Sequence, residues 1–121
     1  MPMNIFQDTL RRIAERVEGT IAVSLVGTDG IPIDSWGAED KASLESLSAE
    51  LGAFVKSSQR PQNAPTATIE QVSVVSDASV AILSRVTAEY YLLLVLTREG
   101  NFGRGRFELR RAGLALEKEL L

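Results

Sequence analysis

The stretch Tyr90-Tyr-Leu-Leu-Leu-Val-Leu-Thr97 constrains this chain more than any other. Its centre, residues 92–96, carries no polar side chain, so a strand here is apolar on both faces. Such a strand needs cover on both sides of its sheet. Two further short stretches precede it, Thr66-Ala-Thr-Ile-Glu-Gln-Val-Ser-Val-Val75 and Ser79-Val-Ala-Ile-Leu-Ser-Arg-Val86, both rich in β-branched residues. Turn-sized gaps, Ser76-Asp77-Ala78 and Thr87-Ala88-Glu89, separate the three. The pattern predicts an antiparallel meander, and the rest of the chain reads as its neighbours and cover.

Residues 5–17 read as a helix, with Phe6, Leu10, Ile13, Ala14 and Val17 on one face, Asn4 as a cap and Gly19 as a stop. Residues 20–36 read as a hairpin. Ile21, Val23 and Leu25 alternate with Ala22, Ser24 and Val26, Asp29-Gly30 is a turn dipeptide, and Pro32 suits an edge strand. Gly27 and Gly30 make neither a GxGxxG nor a P-loop.

Residues 38–58 read as a second helix, with Leu44, Leu47, Leu51 and Val55 as its apolar stripe and Phe54 beside it. At about 100° per residue, Ala42, Ser46, Ala49 and Ala53 fall almost opposite that stripe. This small face has no evident intramolecular use. It suits close approach by another helix, and it is equally what an exposed face rich in a good helix former looks like. After a polar, proline-containing loop and the meander, residues 102–121 read as the last helix, with Phe102, Leu109, Gly113, Leu116 and Leu120 in its stripe. Arg104, Arg106, Arg110 and Arg111 form a basic cluster there. They suit an acidic or phosphate-bearing partner, or pairing with Glu108, Glu15 and Glu18.

Composition narrows the function. The chain has no cysteine and no histidine, which removes thiol chemistry, the commonest general base and the commonest metal ligand. No nucleophile elbow, paired-carboxylate or metal-binding pattern is present, so binding is expected rather than catalysis, with no cofactor and no metal. A net charge of -3 disfavours nucleic acid. No apolar run reaches the roughly 18 residues of a membrane span, and the start lacks the pattern of a signal peptide. A cytoplasmic location without membrane insertion is the expectation.

The order α-β-β-α-β-β-β-α predicts an α+β fold: a five-stranded antiparallel sheet with one helix on one face and two on the other, forming one domain over residues 4–121. In this order, three stretches carry a resemblance. They are Ile21-Ala-Val-Ser-Leu-Val-Gly-Thr-Asp-Gly-Ile-Pro-Ile-Asp-Ser35, Glu89-Tyr-Tyr-Leu-Leu-Leu-Val-Leu96 and Asn101-Phe-Gly-Arg-Gly-Arg-Phe-Glu-Leu-Arg-Arg111. With them the chain resembles the Roadblock/dynein-light-chain domain family over nearly its whole length, and most of all the bacterial MglB-like members. The resemblance implies a homodimer in which the third strands pair and the second helices pack together, making a platform for a small Ras-like GTPase. MglB-like members stimulate that GTPase without an arginine finger, by repositioning its own loops, while other members scaffold. Carried onto this chain, the dimer strand is residues 66–75, with Thr68, Glu70, Val72 and Val74 on it. The platform is residues 40–58, with Ala42, Ser46, Ala49 and Ala53 as the close-contact face. Two other classes compete: a PAS- or GAF-type small-ligand sensor, and a purely structural dimerisation module.

Overall fold

The computed structural model describes residues 5–37, 41–58 and 69–120. The elements are α1 (Ile5–Arg16), β1 (Thr20–Gly27), β2 (Pro32–Gly37), α2 (Lys41–Ser58), β3 (Gln71–Val75), β4 (Val80–Arg85), β5 (Tyr90–Leu96) and α3 (Phe102–Leu120). The five strands form one antiparallel sheet in the order β2-β1-β5-β4-β3. The doubly apolar β5 is therefore central, and β2, which begins at Pro32, is an edge strand where a missing N–H costs least.

Alternation along β5 divides the core into two layers. Leu92, Leu94 and Leu96 join Val23, Leu25 and Ile82 beneath Leu10, Ile13 and Val17 on the side of α1, and Leu109 and Leu116 from α3. Tyr91, Leu93 and Val95 join Ala22, Val26, Ala81 and Leu83 beneath Leu44, Leu51 and Val55 of α2. The helices thus divide two and one between the faces, as expected. Leu92, Leu93 and Leu94 are each 0% exposed. Full burial of such a side chain stabilises by roughly 1.5–3 kcal/mol.

Helix α3 reaches the sheet through Gly105. A Cβ there would lie 2.9 Å from Leu94 Cδ2 and 3.3 Å from Ile82 Cδ1, so a hydrogen is what fits at this contact. Phe102, expected in the buried stripe, is instead 37% exposed. The closest approach falls one turn later, at Gly105, and the Phe102 ring lies beneath the Arg106 guanidinium, 5.7 Å from it.

The third strand is shorter than the alternation predicts. It begins at Gln71 rather than at Thr66, and Ile69 and Glu70 lie outside it. The Glu70 carbonyl still accepts the Arg85 N–H at 2.7 Å, but β4 ends there and Val86 turns away, its N–H going to Tyr90 O at 2.9 Å. Residues 66–68, like the proposed cap Asn4, lie outside the described residues.

Candidate protein-binding surfaces

Helix α2 seats Leu44, Leu51 and Val55 on the sheet. Ser48 is buried among them, its hydroxyl donating to the Leu44 carbonyl at 2.8 Å, which satisfies this buried polar group. On the opposite side Ser46, Ala49 and Ala53 are exposed, and Phe54 stands on the flank with 55% of its surface in solvent. The side chain of Ala42 lies outside the described residues.

One edge of this small face does have an intramolecular use, which corrects the expectation. Gly30, in the turn between β1 and β2, has φ +84°, and a Cβ on it would lie 2.7 Å from Ala49 Cα and 3.3 Å from Ser48 O. Gly52 answers from the helix side, where a Cβ would lie 3.4 Å from Gly30 Cα. The turn rests directly on the helix backbone. The Asp29 carboxylate holds its shape by accepting the Ile31 N–H at 3.0 Å, and Thr28 N–H reaches Glu89 O at 3.1 Å. The Ala49 and Ala53 side chains remain outward, and their smallness exposes helix backbone to any partner.

Strand β3 is the second sheet edge. Its register pairs Val72 with Leu83 and Val74 with Ala81, and Arg85 N–H bonds Glu70 O. In an antiparallel ladder, hydrogen-bonded pairs alternate with non-bonded ones. Glu70, Val72 and Val74 therefore turn their main-chain groups inward to β4, and Gln71, Ser73 and Val75 turn theirs to the open edge. The side chains of Val72 and Val74 lie on the α2 side, Val72 partly buried against that core and Val74 42% exposed. Glu70 is exposed and precedes the strand, and Thr68 lies outside the described residues.

On the other face of the sheet the arginines separate. Arg104 pairs with Glu108, Nη2 to Oε2 at 2.9 Å, and Arg16 of α1 approaches the same carboxylate at 3.6 Å. The pairing with Glu108 is as expected, but α1 contributes a cation, not Glu15 or Glu18. Glu108 is only 3% exposed, and its Oε2 makes no hydrogen bond despite the nearby guanidinium, so its compensation there is charge without aligned donation. Sequence reading missed this burial. The signal was available: Gly105, Glu108, Leu109, Ala112, Gly113 and Leu116 follow the helical repeat, and Glu108 sits in its buried phase. A small cleft between α1 and α3 is lined by Arg12, Arg16, Arg111 and Glu108.

Among the described residues no group of three or more Asp or Glu side chains is placed to hold a metal ion, and no helix is long and apolar enough to cross a membrane. No family model matches the sequence, and no curated protein matches it. Solved structures do. Myxococcus xanthus MglB superposes with a TM-score of 0.83 at 15% identity, covering 99% of this chain and 98% of that one. A Roadblock/LC7 domain from Streptomyces avermitilis gives a TM-score of 0.81 at 17% identity, covering 93% and 94%.

The chain folds as a Roadblock domain.

Myxococcus xanthus MglC shares more sequence, 29%, with a TM-score of 0.69 over 94% of this chain and 98% of that one. In this fold the outer face of α2 and the edge of β3 belong to one side and one end of the sheet, and the arginines of α3 belong to the opposite side.

Proposed function

We propose that this Roadblock domain is a non-catalytic, dimeric regulator or scaffold that binds a small Ras-like GTPase. Two copies pair along β3, the second helices pack together, and the paired α2 helices form the platform. The observation that carries this reading is the exposed small face Ser46, Ala49 and Ala53 on α2, together with the unpaired main-chain groups of Gln71, Ser73 and Val75. An open edge of this kind is usually paired or protected. The fold shared with MglB and MglC supports the same reading. A sensor that holds a ligand beneath α2 draws less support, because that space is filled by Leu44, Leu51, Val55 and the fully buried Leu93.

The platform prefers the GTP state, in which the switch loops are ordered. If it accelerates hydrolysis, it does so without an arginine of this chain entering the nucleotide pocket; Arg104, for one, is engaged by Glu108 across the sheet from α2. The test is binding and single-turnover hydrolysis with a Ras-like GTPase of the same organism. Ala49→Arg abolishes binding or dimerisation, and its exposed side chain lets the fold carry the change. Arg104→Ala with Arg106→Ala leaves any stimulation largely intact. A dimer indifferent to Ala49→Arg that loses stimulation with the arginines reverses the assignment of the working face.

A further inference from the structure

The flank of α3 that faces away from α1 forms a groove of about 330 Å³ with the start of β3 and the end of β4. Arg85 of β4 and Arg106 and Arg110 of α3 line it, with Leu114 one turn further along the helix. Among the described residues none of these arginines forms an ion pair. Arg106 and Arg110 are four apart on one helix face, a like-charge spacing that weakens a helix unless something compensates it. Arg106 is held in place: its Nε donates to Gln71 Oε1 at 3.0 Å and its guanidinium lies over the Phe102 ring. Leu114 is 71% exposed, more than any other large apolar side chain among the described residues.

We propose that this groove docks an acidic segment of another protein that also carries an apolar side chain. The three guanidiniums outnumber the carboxylates of Glu70 and Glu117 that share the groove, which leaves it cationic in a chain whose net charge is -3. Planar guanidiniums with free donors suit carboxylates, which they bind through two parallel hydrogen bonds. Burial of Leu114 beneath an apolar residue supplies the complementary contact. The residues that lead into β3, 59–68, include Arg60 and no carboxylate, so that segment is not the complement. The small excess of positive charge, set in a concave groove rather than along a flat face, favours a short acidic segment over a polyanion or an anionic bilayer. The groove opens on the side of the sheet opposite α2, so this site goes beyond the platform and does not depend on it.

The experiment is an amide-shift titration of the whole ¹⁵N-labelled chain with a synthetic twelve-residue peptide of Glu and Asp carrying one central Leu, matched by polarisation with a fluorescein-labelled copy. Shifts concentrated at Arg85, Gly113 and Leu114, with binding that weakens as salt rises, are the expected result. Arg106→Glu with Arg110→Glu lowers affinity by about tenfold or more, the size expected for reversing two contacting charges. Leu114→Ser lowers it without any change of charge, and Arg111→Ala, on the α1 side, leaves it unchanged. All four positions are exposed, and the dispersed amide spectrum of each variant verifies its fold. No binding overturns the proposal, as do shifts centred on α2 or on the α1–α3 cleft, or an equal loss in every variant. Groove-dependent retention on phosphatidylglycerol vesicles or polyuridine in place of the peptide assigns the groove to another class of partner and overturns it as well.

Discussion

A Cβ on Gly30 would stand 2.7 Å from the Cα of Ala49, closer than such atoms approach without something moving. The turn between β1 and β2 is therefore braced on the backbone of α2, and the two can be set in place only together. Gly30 also holds φ +84°, a left-handed conformation that costs other residues roughly 1–2 kcal/mol. Gly30→Ala combines that strain with the clash. It should lower the stability of the fold by more than about 1–2 kcal/mol in urea denaturation, whereas alanine at a site of ordinary backbone conformation and open space would not. An unchanged midpoint would mean that the turn does not rest on the helix.

The central strand makes the second prediction. Leu94 is 0% exposed and touches the layer shared by α1 and α3. Leu94→Ala should cost roughly 2–5 kcal/mol, the range for truncating a buried leucine. An unfolding midpoint close to that of the parent protein would contradict the placement of β5 at the centre of the sheet.

Glu108 makes the third. With Arg104 at 2.9 Å and Arg16 at 3.6 Å, its buried carboxylate has two cations for compensation. Arg104→Ala should cost roughly 1–2 kcal/mol, less than for a wholly buried pair because 46% of the Arg104 side chain is in solvent. Removing Arg16 as well should cost more than the sum of the single changes, because the last compensating charge then goes. Glu108→Leu in that doubly truncated background should recover stability, since an apolar replacement has no charge left to compensate. Strict additivity, read from a double-mutant cycle, would show that the two arginines do not share the compensation of this one carboxylate.

The register of β3 makes the fourth. Ser73 turns its N–H to the open edge, and Val72 turns its N–H to Leu83. Ser73→Pro should leave the folded chain intact and shift a dimer toward monomer, as read by light scattering. Val72→Pro should destabilise the chain itself, by about 1–3 kcal/mol for the hydrogen bond and the orphaned carbonyl. Equal behaviour of the two variants would place the pairing edge elsewhere.

Much of this arrangement was legible in the residues. The unbroken apolar centre of β5 called for cover on both faces, and Leu92 and Leu94 point to one layer while Leu93 and Val95 point to the other. Pro32 marked an edge, and the stripe from Leu44 to Val55 marked the buried side of α2. What was not legible depended on partners distant in sequence. The alternation before Gln71 continues past the point where β4 bends away, and a pattern within one strand says nothing of where its neighbour ends. The outward main-chain groups of Gln71, Ser73 and Val75 follow from pairing phase, which side-chain alternation does not reveal. The close approach at Gly30 needs the position of α2 in space. Glu108 was masked by its neighbours Arg104, Arg106 and Arg110, which make its surroundings read as a solvated face.

The mass of the assembly tests the dimeric GTPase platform. Light scattering at micromolar concentration, on the chain mixed with a Ras-like GTPase of the same organism, compares the GTPase loaded with a non-hydrolysable GTP analogue and with GDP. The protein alone should show about twice the 13.2 kDa chain mass. With the GTP-analogue form a heavier complex containing that dimer should appear, and little or none with GDP. A chain that stays monomeric, or a dimer that forms no complex in either nucleotide state, would rule out the dimeric platform.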